Sequence, residues 1–400
     1  MNARQSRTTK TGAATKASLG IVQMNATQFD GPLFRYLAKR GTVDLTVYYT
    51  RQYGDTQSVD EELQSVIGWA NDVISGYRYF LRPAGFRGFF RLLKTILKSN
   101  HDLIIIGGYF PAGHLLLASL CKLQGKAVGL RSDSILLYGK PKGFRGIVKS
   151  FLLPLILRLY RTGHPTGTLA AEYLLHYGMP KEQLFMFPYN VDNDWLTQQT
   201  VNAESSCEEL RKQLGIPTEA PVILGILKFV PREDPMTLLL AFARLKGSRP
   251  QSHLVLVGDG PLRGQMENYI SQNSLSGVHF LGYQPYPSLP GYYRMATVFV
   301  HPAVREQWGV SVNEAMVCGV PVVTSSAVGA ARDLIQPEES GFVFPVGDSA
   351  ALATVLGKLI DSIELRTKLA QGGQQIMQKW NYAQTAENLE AALLFVNGGE

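Results

Sequence analysis

The sequence has little of what a membrane-spanning, secreted or disulfide-bonded protein needs. Its longest apolar stretch, 151–157, is far shorter than the roughly 20 residues of a transmembrane helix. Residues 1–16 are polar and basic without an apolar segment, which predicts a disordered tail rather than a signal peptide. The three cysteines lie far apart, with no CxxC or metal-type spacing, which predicts a reduced, cytosolic protein.

Acidic residues are scarce in one half of the chain. Residues 1–200 hold 24 Lys and Arg against 13 Asp and Glu, whereas residues 201–400 hold 15 against 19. The basic first half is therefore expected to meet an anionic surface or acceptor. His101, His114 and His164 share no metal-ligand spacing, so we expect no metal at these residues. We also expect no cofactor and no nucleic-acid partner.

A length of 400 residues suits two domains better than one. Apolar strands alternate with helical segments, which is typical of parallel α/β layers. The pattern predicts strands at 19–23, 43–49, 102–106, 126–130 and 184–188, then at 222–227, 253–257, 278–281, 297–301, 320–324 and 341–344. We therefore predict an α/β protein of two Rossmann-like, doubly wound domains that face a cleft, with ligands at the carboxyl ends of the strands.

The boundaries follow from composition. Residues 17–200 form the predicted N-terminal domain. The polar segment at 201–220 is predicted to be the linker, and 221–381 the C-terminal domain. The final helix, about 382–400, is expected to pack back on the first domain.

The strongest motif is HPAVREQWGVSVNEAMVCGVPVV at 301–323. Glu306 and Glu314 are separated by seven residues, and Gly309 lies between them where a helix is expected to start. A glycine there allows close approach of a ligand, and a helix N-terminus favours a diphosphate. Carboxylates accept hydrogen bonds from the hydroxyls of a sugar or ribose. The spacing alone also fits an ordinary surface helix.

This segment resembles the signature of family-4 glycosyltransferases (glycosyl transferases group 1), usually written E-G-F-G-x-x-x-x-E-A-M-A-x-G-x-P-V-V. VLVGDGPLRGQME at 255–267, FLGYQP at 280–285, SSAVGAARDLI at 325–335 and SGFVFPVGD at 340–348 resemble further family segments in the same order. The resemblance covers about 222–380 and implies the GT-B fold, a nucleotide-sugar donor, retention of anomeric configuration and no metal. It also implies that the domain at 221–381 binds the nucleotide sugar and that the domain at 17–200 binds the acceptor.

The resemblance also implies roles for individual residues. Glu306 would hold hydroxyls of the donor sugar and face the anomeric centre, and Glu314 would hold the ribose. Backbone amides around Gly309, Val310 and Ser311 would meet the sugar and diphosphate. Gly282 and Tyr283 lie where the family places the base of the nucleotide. The sequence of this pocket does not distinguish UDP, GDP and ADP donors.

The diphosphate clamp departs from the family pattern of an Arg followed by a Lys. In ILKFVPREDP at 226–235, Lys228 stands at the Arg position and Glu233 at the Lys position. Because a carboxylate would repel a diphosphate, we expect Glu233 to point away and Arg232 to take over. Lys228 and Arg232 are thus catalytic candidates with Glu306, although both also fit ordinary surface charge.

The acceptor side departs further, since the usual Gly-Gly loop and the usual histidine are replaced by QMNATQFDGPLFRYLA at 23–38 and GLRSDSILLY at 129–138. Polar or aromatic residues at predicted strand ends are the acceptor-side candidates, each with a structural role as its alternative. They are Gln28, Asp30, Tyr109, Arg131 and Asp133.

Two short motifs suggest other chemistry. G-D-G-P-L-R-G at 258–264 follows a strand, but its glycine spacing and the lack of an acidic residue after the next strand argue against NAD. Asp192-Asn193-Asp194 matches a metal-binding D-x-D, yet Asp and Asn commonly cap turns at such positions.

The segment 86–98 has apolar residues on one helical face and Arg87, Arg91, Lys94 and Lys98 on another. This pattern fits a helix on an anionic membrane surface, and equally a helix packed on the core with a solvated basic face. The stretch 140–161 is also basic and apolar. A membrane role would make the acceptor a lipid or a lipid-linked saccharide, and the protein cytoplasmic or peripheral at the inner face of the plasma membrane.

The sequence thus predicts a retaining glycosyltransferase that transfers a sugar to a saccharide or lipid-linked acceptor in bacterial cell-surface polysaccharide or glycolipid synthesis. A catalytically silent GT-B module that binds a nucleotide sugar or glycan stays open, because of the altered clamp and the missing histidine. A nucleotide-sugar epimerase of related fold stays open as well. The sugar, the acceptor, the linkage and the oligomeric state are not specified.

Overall fold

The N-terminal domain is built around a six-stranded parallel sheet. The computed structural model describes residues 16–51, 57–60, 65–68, 73–83, 85–136 and 143–398, so the predicted tail lies almost wholly outside the described residues. The elements of this domain are β1 (Ala17–Gln23), α1 (Asp30–Arg40), β2 (Val43–Tyr49), β3 (Gln57–Asp60), β4 (Ser65–Gly68), β5 (Arg78–Leu81), α2 (Gly85–Lys98), β6 (Leu103–Gly107), α3 (Ala112–Leu123), β7 (Ala127–Ser132), α4 (Gly143–Leu157), β8 (Thr162–Pro165) and α5 (Thr168–His176).

The C-terminal domain repeats this design. Its elements are α6 (Asn193–Asn202), α7 (Glu204–Gln213), β9 (Val222–Ile226), α8 (Pro235–Lys246), β10 (His253–Val257), α9 (Arg263–Gln272), β11 (Val278–Phe280), α10 (Leu289–Met295), β12 (Val298–His301), α11 (Val310–Val317), β13 (Val322–Ser325), α12 (Ala331–Leu334), β14 (Gly341–Phe344), α13 (Ser349–Asp361) and α14 (Ile363–Met377). The last helix is α15 (Tyr382–Val396).

Both sheets have the strand order of a dinucleotide-binding fold. The first runs β5-β2-β1-β6-β7-β8 and the second β11-β10-β9-β12-β13-β14, and the paired strands are parallel. The antiparallel pair β3–β4 stands apart from both. In sequence order within each domain this is 3-2-1-4-5-6, which places a switch point beside the first strand. The structure confirms the predicted α/β fold of two doubly wound domains.

Each sheet is covered on both faces because its strands are nearly continuous apolar runs. In the N-terminal domain, α2, α3 and α4 contribute to one core cluster, while α1 packs on the other face. Leu389 and Leu393 of α15 join that second cluster, so the end of the chain is part of the N-terminal domain. Among the described residues, none of the helices combines the length and apolar character that crossing a bilayer requires.

The strand predicted at 184–188 is wrong. The sixth strand of the first sheet is β8, and residues after 183 run beside it through single bonds such as Phe185 N–H to the Gly163 carbonyl, 2.8 Å. Thr162–Pro165 reads Thr-Gly-His-Pro and lacks an apolar run, whereas 184–187 has one. Burial in β8 comes from its place in the sheet, which periodicity does not reveal.

The segment predicted as a linker at 201–220 contains helix α7. Cys207, Ile216 and Ala220 are buried in the same cluster as Val222 of β9. Leu196 of α6 belongs to that cluster as well, so the polar stretch after Tyr189 is already part of the C-terminal domain. Its polar residues face solvent on two short helices, which a count of polar residues cannot distinguish from a linker.

Candidate functional site

The candidate donor-side residues lie at the switch point of the second sheet. Lys228 and Arg232 follow β9, while Glu306 and Gly309 follow β12, and β9 and β12 are neighbours. The carboxyl ends of adjacent parallel strands form the crevice where α/β proteins bind ligands. The fold thus brings together two segments that are more than seventy residues apart.

Gly309 is the N-cap of α11 and has φ 94°, a left-handed conformation that favours glycine. A Cβ atom at this position would lie 3.0 Å from Val328 Cγ1 and 3.1 Å from His301 Cδ2. Val310 and Ser311 begin the helix and are half-buried. Since the first backbone N–H groups of a helix have no intrahelical partner, this turn offers donors to an anion.

Arg232 lies between two carboxylates. Its Nη1 donates to Glu306 Oε2 at 2.5 Å, and its Nη2 donates to Glu233 Oε1 at 2.8 Å. The carboxylate of Glu306 also accepts a long bond from the Trp308 backbone N–H, 3.4 Å. The Glu306 side chain is 19% exposed, so solvent or a ligand can reach it.

The carboxylate of Glu233, expected to point away from a diphosphate, is directed at the turn that carries Lys228 and Arg232. It is buried and accepts a hydrogen bond from the backbone N–H of Lys228 at 2.7 Å as well as from Arg232. Burial raises the pKa of this carboxyl to about 7, although the charge of Arg232 and the Lys228 N–H lower it. Glu233 therefore holds the turn that carries Lys228 and Arg232.

Glu314 lies in α11 and is buried, with 3% exposure. The Tyr293 hydroxyl donates to its Oε2 at 2.6 Å. Burial raises the pKa of Glu314 to about 7, against the lowering effect of that hydrogen bond. A carboxyl so enclosed is held in one orientation, and the ribose role of Glu314 stays a prediction.

Gly282 and Tyr283 belong to a set of linked turns at the carboxyl ends of β9, β10 and β11. The Tyr283 hydroxyl donates to the Asp259 carbonyl at 3.2 Å, and Gly258 N–H donates to the Gly282 carbonyl at 2.8 Å. A Cβ at Gly258 would lie 1.9 Å from the Leu227 carbonyl oxygen. The G-D-G glycines thus allow the turn after β10 to pack against the segment that leads to Lys228.

The D-x-D motif caps a helix. Asp192 Oδ1 accepts a hydrogen bond from the backbone N–H of Trp195 at 3.0 Å, as the N-cap of α6. Asn193 donates to the carbonyls of Met377 and Trp380. This confirms the capping interpretation, and the described residues contain no group of three or more acidic, His or Cys side chains placed to bind a metal.

The acceptor-side candidates surround a cavity of about 530 Å³ at the carboxyl ends of β1, β6 and β7. Asp30, Tyr109, Arg131 and Asp133 line it, whereas Gln28 is not among the described residues that do. Tyr109 shares a hydrogen bond with Tyr173 between their hydroxyls, 2.9 Å, and burial raises the pKa of Tyr109 to about 12.

Asp30 and Arg131 form a buried ion pair of 2.8 Å. Asp30 also accepts from Gln23 Nε2 at 3.2 Å and Thr27 Oγ1 at 3.0 Å. The Arg131 guanidinium carbon lies 4.0 Å from the centroid of the Phe187 ring, a cation–π geometry. The pair therefore builds the floor of the cavity, and both residues have structural contacts apart from any ligand.

Three residues that sequence reasoning missed connect the two sides. Trp308 Nε1 donates to Asn313 Oδ1 at 2.9 Å, and Asn313 Nδ2 donates to the Tyr189 carbonyl at 3.3 Å. The Tyr189 hydroxyl in turn donates to Asp133 at 3.2 Å. Asn313 is fully buried, and a polar residue inside the apolar helix VSVNEAMV was the available signal.

Comparison with known proteins matches residues 206–376 to the glycosyl transferases group 1 family. A D-inositol 3-phosphate glycosyltransferase of Thermomonospora curvata is 28% identical over 56% of this chain and 54% of its own length. The lipopolysaccharide core biosynthesis glycosyltransferase LpsE of Rhizobium meliloti is 30% identical over 42% of this chain and 47% of its own. The chain thus spans about half the length of the curated relatives it matches.

The family match thus covers most of the C-terminal domain. Anabaena HepE, solved in complex with UDP and glucose, has a TM-score of 0.67 and 17% identity, over 94% of this chain and 98% of its own. Since that alignment covers both domains, the whole chain has the GT-B fold of the structures it resembles. The sequence-based assignment of family and fold is confirmed.

Proposed function

We propose that the protein is a retaining glycosyltransferase that uses a nucleoside-diphosphate sugar. The observation that carries this proposal is the Arg232–Glu306 pair, 2.5 Å apart, beside the Gly309 turn that opens α11. A cation, an accessible carboxylate and free helix N–H groups are the three elements that a sugar diphosphate requires. The family match and the UDP and glucose bound to HepE support the donor class.

In this proposal Arg232, Lys228 and the amides of Val310 and Ser311 hold the diphosphate. They also stabilise the negative charge that grows on it as the bond to the anomeric carbon breaks. Glu306 accepts hydrogen bonds from sugar hydroxyls and faces the oxocarbenium-like centre. The acceptor oxygen bonds to the anomeric carbon on the face the diphosphate leaves, and its proton passes to the departing diphosphate.

The arrangement of the cluster implies a change when the donor binds. Arg232 pairs with Glu306 and Glu233 in the described structure, so a diphosphate must compete for its guanidinium. Glu233 already accepts the Lys228 N–H, and it can keep the turn in place while Arg232 shifts. Glu233 would then be a positioning residue, which accounts for a carboxylate at a position where the family has Lys.

We propose a saccharide or lipid-linked saccharide as the acceptor, and a role in bacterial cell-surface polysaccharide or glycolipid synthesis. Its support is the cavity of about 530 Å³ at the first switch point and a relative named for lipopolysaccharide core synthesis. Peripheral attachment to the inner face of the plasma membrane through 86–98 stays a prediction.

A catalytically silent nucleotide-sugar-binding module is the second candidate, because Glu233 replaces the clamp Lys. The test is to incubate the full chain with UDP-, GDP- and ADP-sugars and a panel of lipid and saccharide acceptors, and to follow release of nucleoside diphosphate. We expect release with one base, reduced about a hundredfold or more in Glu306→Gln, by analogy with loss of one transition-state hydrogen-bond partner. The exposed Glu364→Gln is the matched control.

Three outcomes separate the candidates. Release that depends on an acceptor supports the transferase. Nucleotide binding without turnover of any donor supports the silent module, and isomerisation of the donor without release supports an epimerase.

A further inference from the structure

The outer face of α4 is apolar although it faces solvent. Phe144 is 80% exposed and Phe151 is 73% exposed. The opposite side of the helix packs Leu153 and Leu157 into the core. The exposed apolar side chains, called the α4 face below, are Phe144, Ile147, Val148, Phe151, Leu152 and Leu155.

Spacing makes this set one continuous stripe. Positions 144, 147, 148, 151 and 155 follow the helical repeat of three and four residues. Monomeric proteins seldom leave a contiguous apolar patch of this kind in water, and such patches mark surfaces for a partner or a membrane. The helix α4 is therefore apolar on its solvent-facing side as well as on the side that packs into the core.

Other exposed aromatic residues lie at the same end of the domain. Phe86, Phe90 and Phe110 are exposed by 77%, 46% and 79%. They lie at the starts of α2 and α3, and α4 starts in the same way after β7, so all three helices begin at the carboxyl edge of the sheet. A Cβ placed on Gly113 would lie 3.0 Å from Phe89 Cε2, so the first turns of α2 and α3 are in contact.

The structure changes which part of 86–98 can meet a membrane. Leu93 and Ile96, expected on the membrane face, are buried in the core, so only the first turns of α2, with Phe86 and Phe90, present apolar side chains. The basic residues Arg87, Arg91 and Lys94 are exposed beside them.

The stretch of sequence that carries these apolar residues is almost entirely basic. Residues 78–166 hold fifteen Lys and Arg against two Asp and no Glu. Of the two, Asp102 accepts the Ser18 backbone N–H, and Asp133 lines the acceptor cavity and accepts the Tyr189 hydroxyl. Basic residues beside an apolar stripe are complementary to a bilayer with anionic headgroups, whereas a neutral or basic protein partner would gain nothing from them.

Helix α4 is connected to the acceptor cavity through a short series of side-chain contacts. The Lys149 ammonium lies 5.0 Å from the centroid of the Tyr173 ring, and the Tyr173 hydroxyl is 2.9 Å from that of Tyr109. Tyr109 and Phe110 both line the cavity. An acceptor whose apolar chain stays in the bilayer would thus meet the cavity at the edge where the apolar residues lie.

We propose that the α4 face, with Phe86, Phe90 and Phe110, docks the protein on an anionic bilayer and that the acceptor is a membrane-anchored amphiphile. The choice of acceptor rests on the proposed function, whereas the docking does not. The aromatic side chains enter the headgroup region, and the cationic residues contact lipid phosphates.

The test is co-sedimentation of the full chain with vesicles of phosphatidylglycerol and phosphatidylcholine in equal parts, compared with phosphatidylcholine alone. We expect binding to the anionic vesicles that falls as salt rises. Phe144→Ser with Phe151→Ser should weaken it at least about tenfold, because burial of a Phe side chain is worth more than the 1.4 kcal/mol of a tenfold change. The matched control is Val201→Ser with Ile363→Ser, both 69% exposed on the C-terminal domain.

Charge reversal at Arg87, Arg91 and Lys94 to Glu gives an independent second variant, with melting temperature as the check on folding. Equal sedimentation with both vesicle types, or unchanged binding in the Phe144→Ser/Phe151→Ser variant, overturns the docking surface. The docking surface is also overturned if the wild type is a dimer that does not bind vesicles and the Phe144→Ser/Phe151→Ser variant is a monomer. The α4 face would then bind a second copy of the chain. Vesicle binding without donor turnover would reject the proposed function and leave the surface standing.

Discussion

Replacing Asp30 by Ala leaves the Arg131 guanidinium buried without its carboxylate. Side-chain exposure is 7% for both partners, so water cannot replace the lost charge. Removing one partner of a buried pair costs about 3–5 kcal/mol. For a domain of this size each kcal/mol lowers the melting temperature by about 2–4 °C, so we expect a fall of about 6–20 °C in the N-terminal transition.

The assay is differential scanning calorimetry of the full chain, with Arg131→Met and the double variant Asp30→Leu/Arg131→Met alongside. The double variant should recover most of the loss, because removing both charges removes the unpaired one. The C-terminal transition should stay in place. A fall below about 2 °C for Asp30→Ala, or a double variant no better than either single one, would refute a structural role for the pair and favour acceptor binding.

Three further results are expected. The folded-state pKa of Glu314 is about 7 and its ordinary value is 4.5, so its contribution to stability is complete below pH 4.5 and lost as pH rises through 7. Wild type should therefore lose up to about 3 kcal/mol relative to Glu314→Gln between pH 4.5 and 8 in urea unfolding, and parallel curves would contradict this. Glu233→Lys should lower the melting temperature and donor turnover more than Glu233→Gln, because Lys cannot accept the Lys228 N–H and repels Arg232; a gain of activity would show that Glu233 is only a weakened clamp. Gly309→Ala should lose about 1–3 kcal/mol of stability, because alanine is strained at a φ of 94° and its Cβ would crowd Val328. The control Gly264→Ala in α9, which has open space around it, should be neutral or stabilising.

Much of the fold could be predicted because the strands of a parallel sheet are apolar along their whole length. The strands at 43–49, 253–257 and 341–344 have the predicted bounds. Periodicity failed where burial depends on position in the sheet, as in β8, and where short polar helices resemble a linker, as in α6 and α7. The local sequence of a segment shows neither its position in the sheet nor which side of a short helix is buried.

The candidate site could be predicted in part for a similar reason. Glu306, Gly309 and Glu314 stand in one local motif, so sequence alone named them. The ion pair from Arg232 to Glu306 and the bond from Tyr293 to Glu314 join distant segments, and only the fold brings them together. Charge alone predicted only that Glu233 points away from a diphosphate. The hydrogen bond that its carboxylate accepts from the backbone N–H of Lys228 depends on the turn, which charge does not reveal.

The most direct test of the donor site is a titration of the full chain with UDP, GDP and ADP, with NAD as control, while the melting temperature is followed. Ligand at a hundredfold excess over its Kd adds about 2.7 kcal/mol, so one nucleoside diphosphate should raise the melting temperature by several degrees in wild type and in Glu364→Gln. Glu314→Gln should lose most of that rise. No shift with any of the three nucleotides, or an equal shift in Glu314→Gln, would contradict a nucleotide-sugar site between Glu306 and α11.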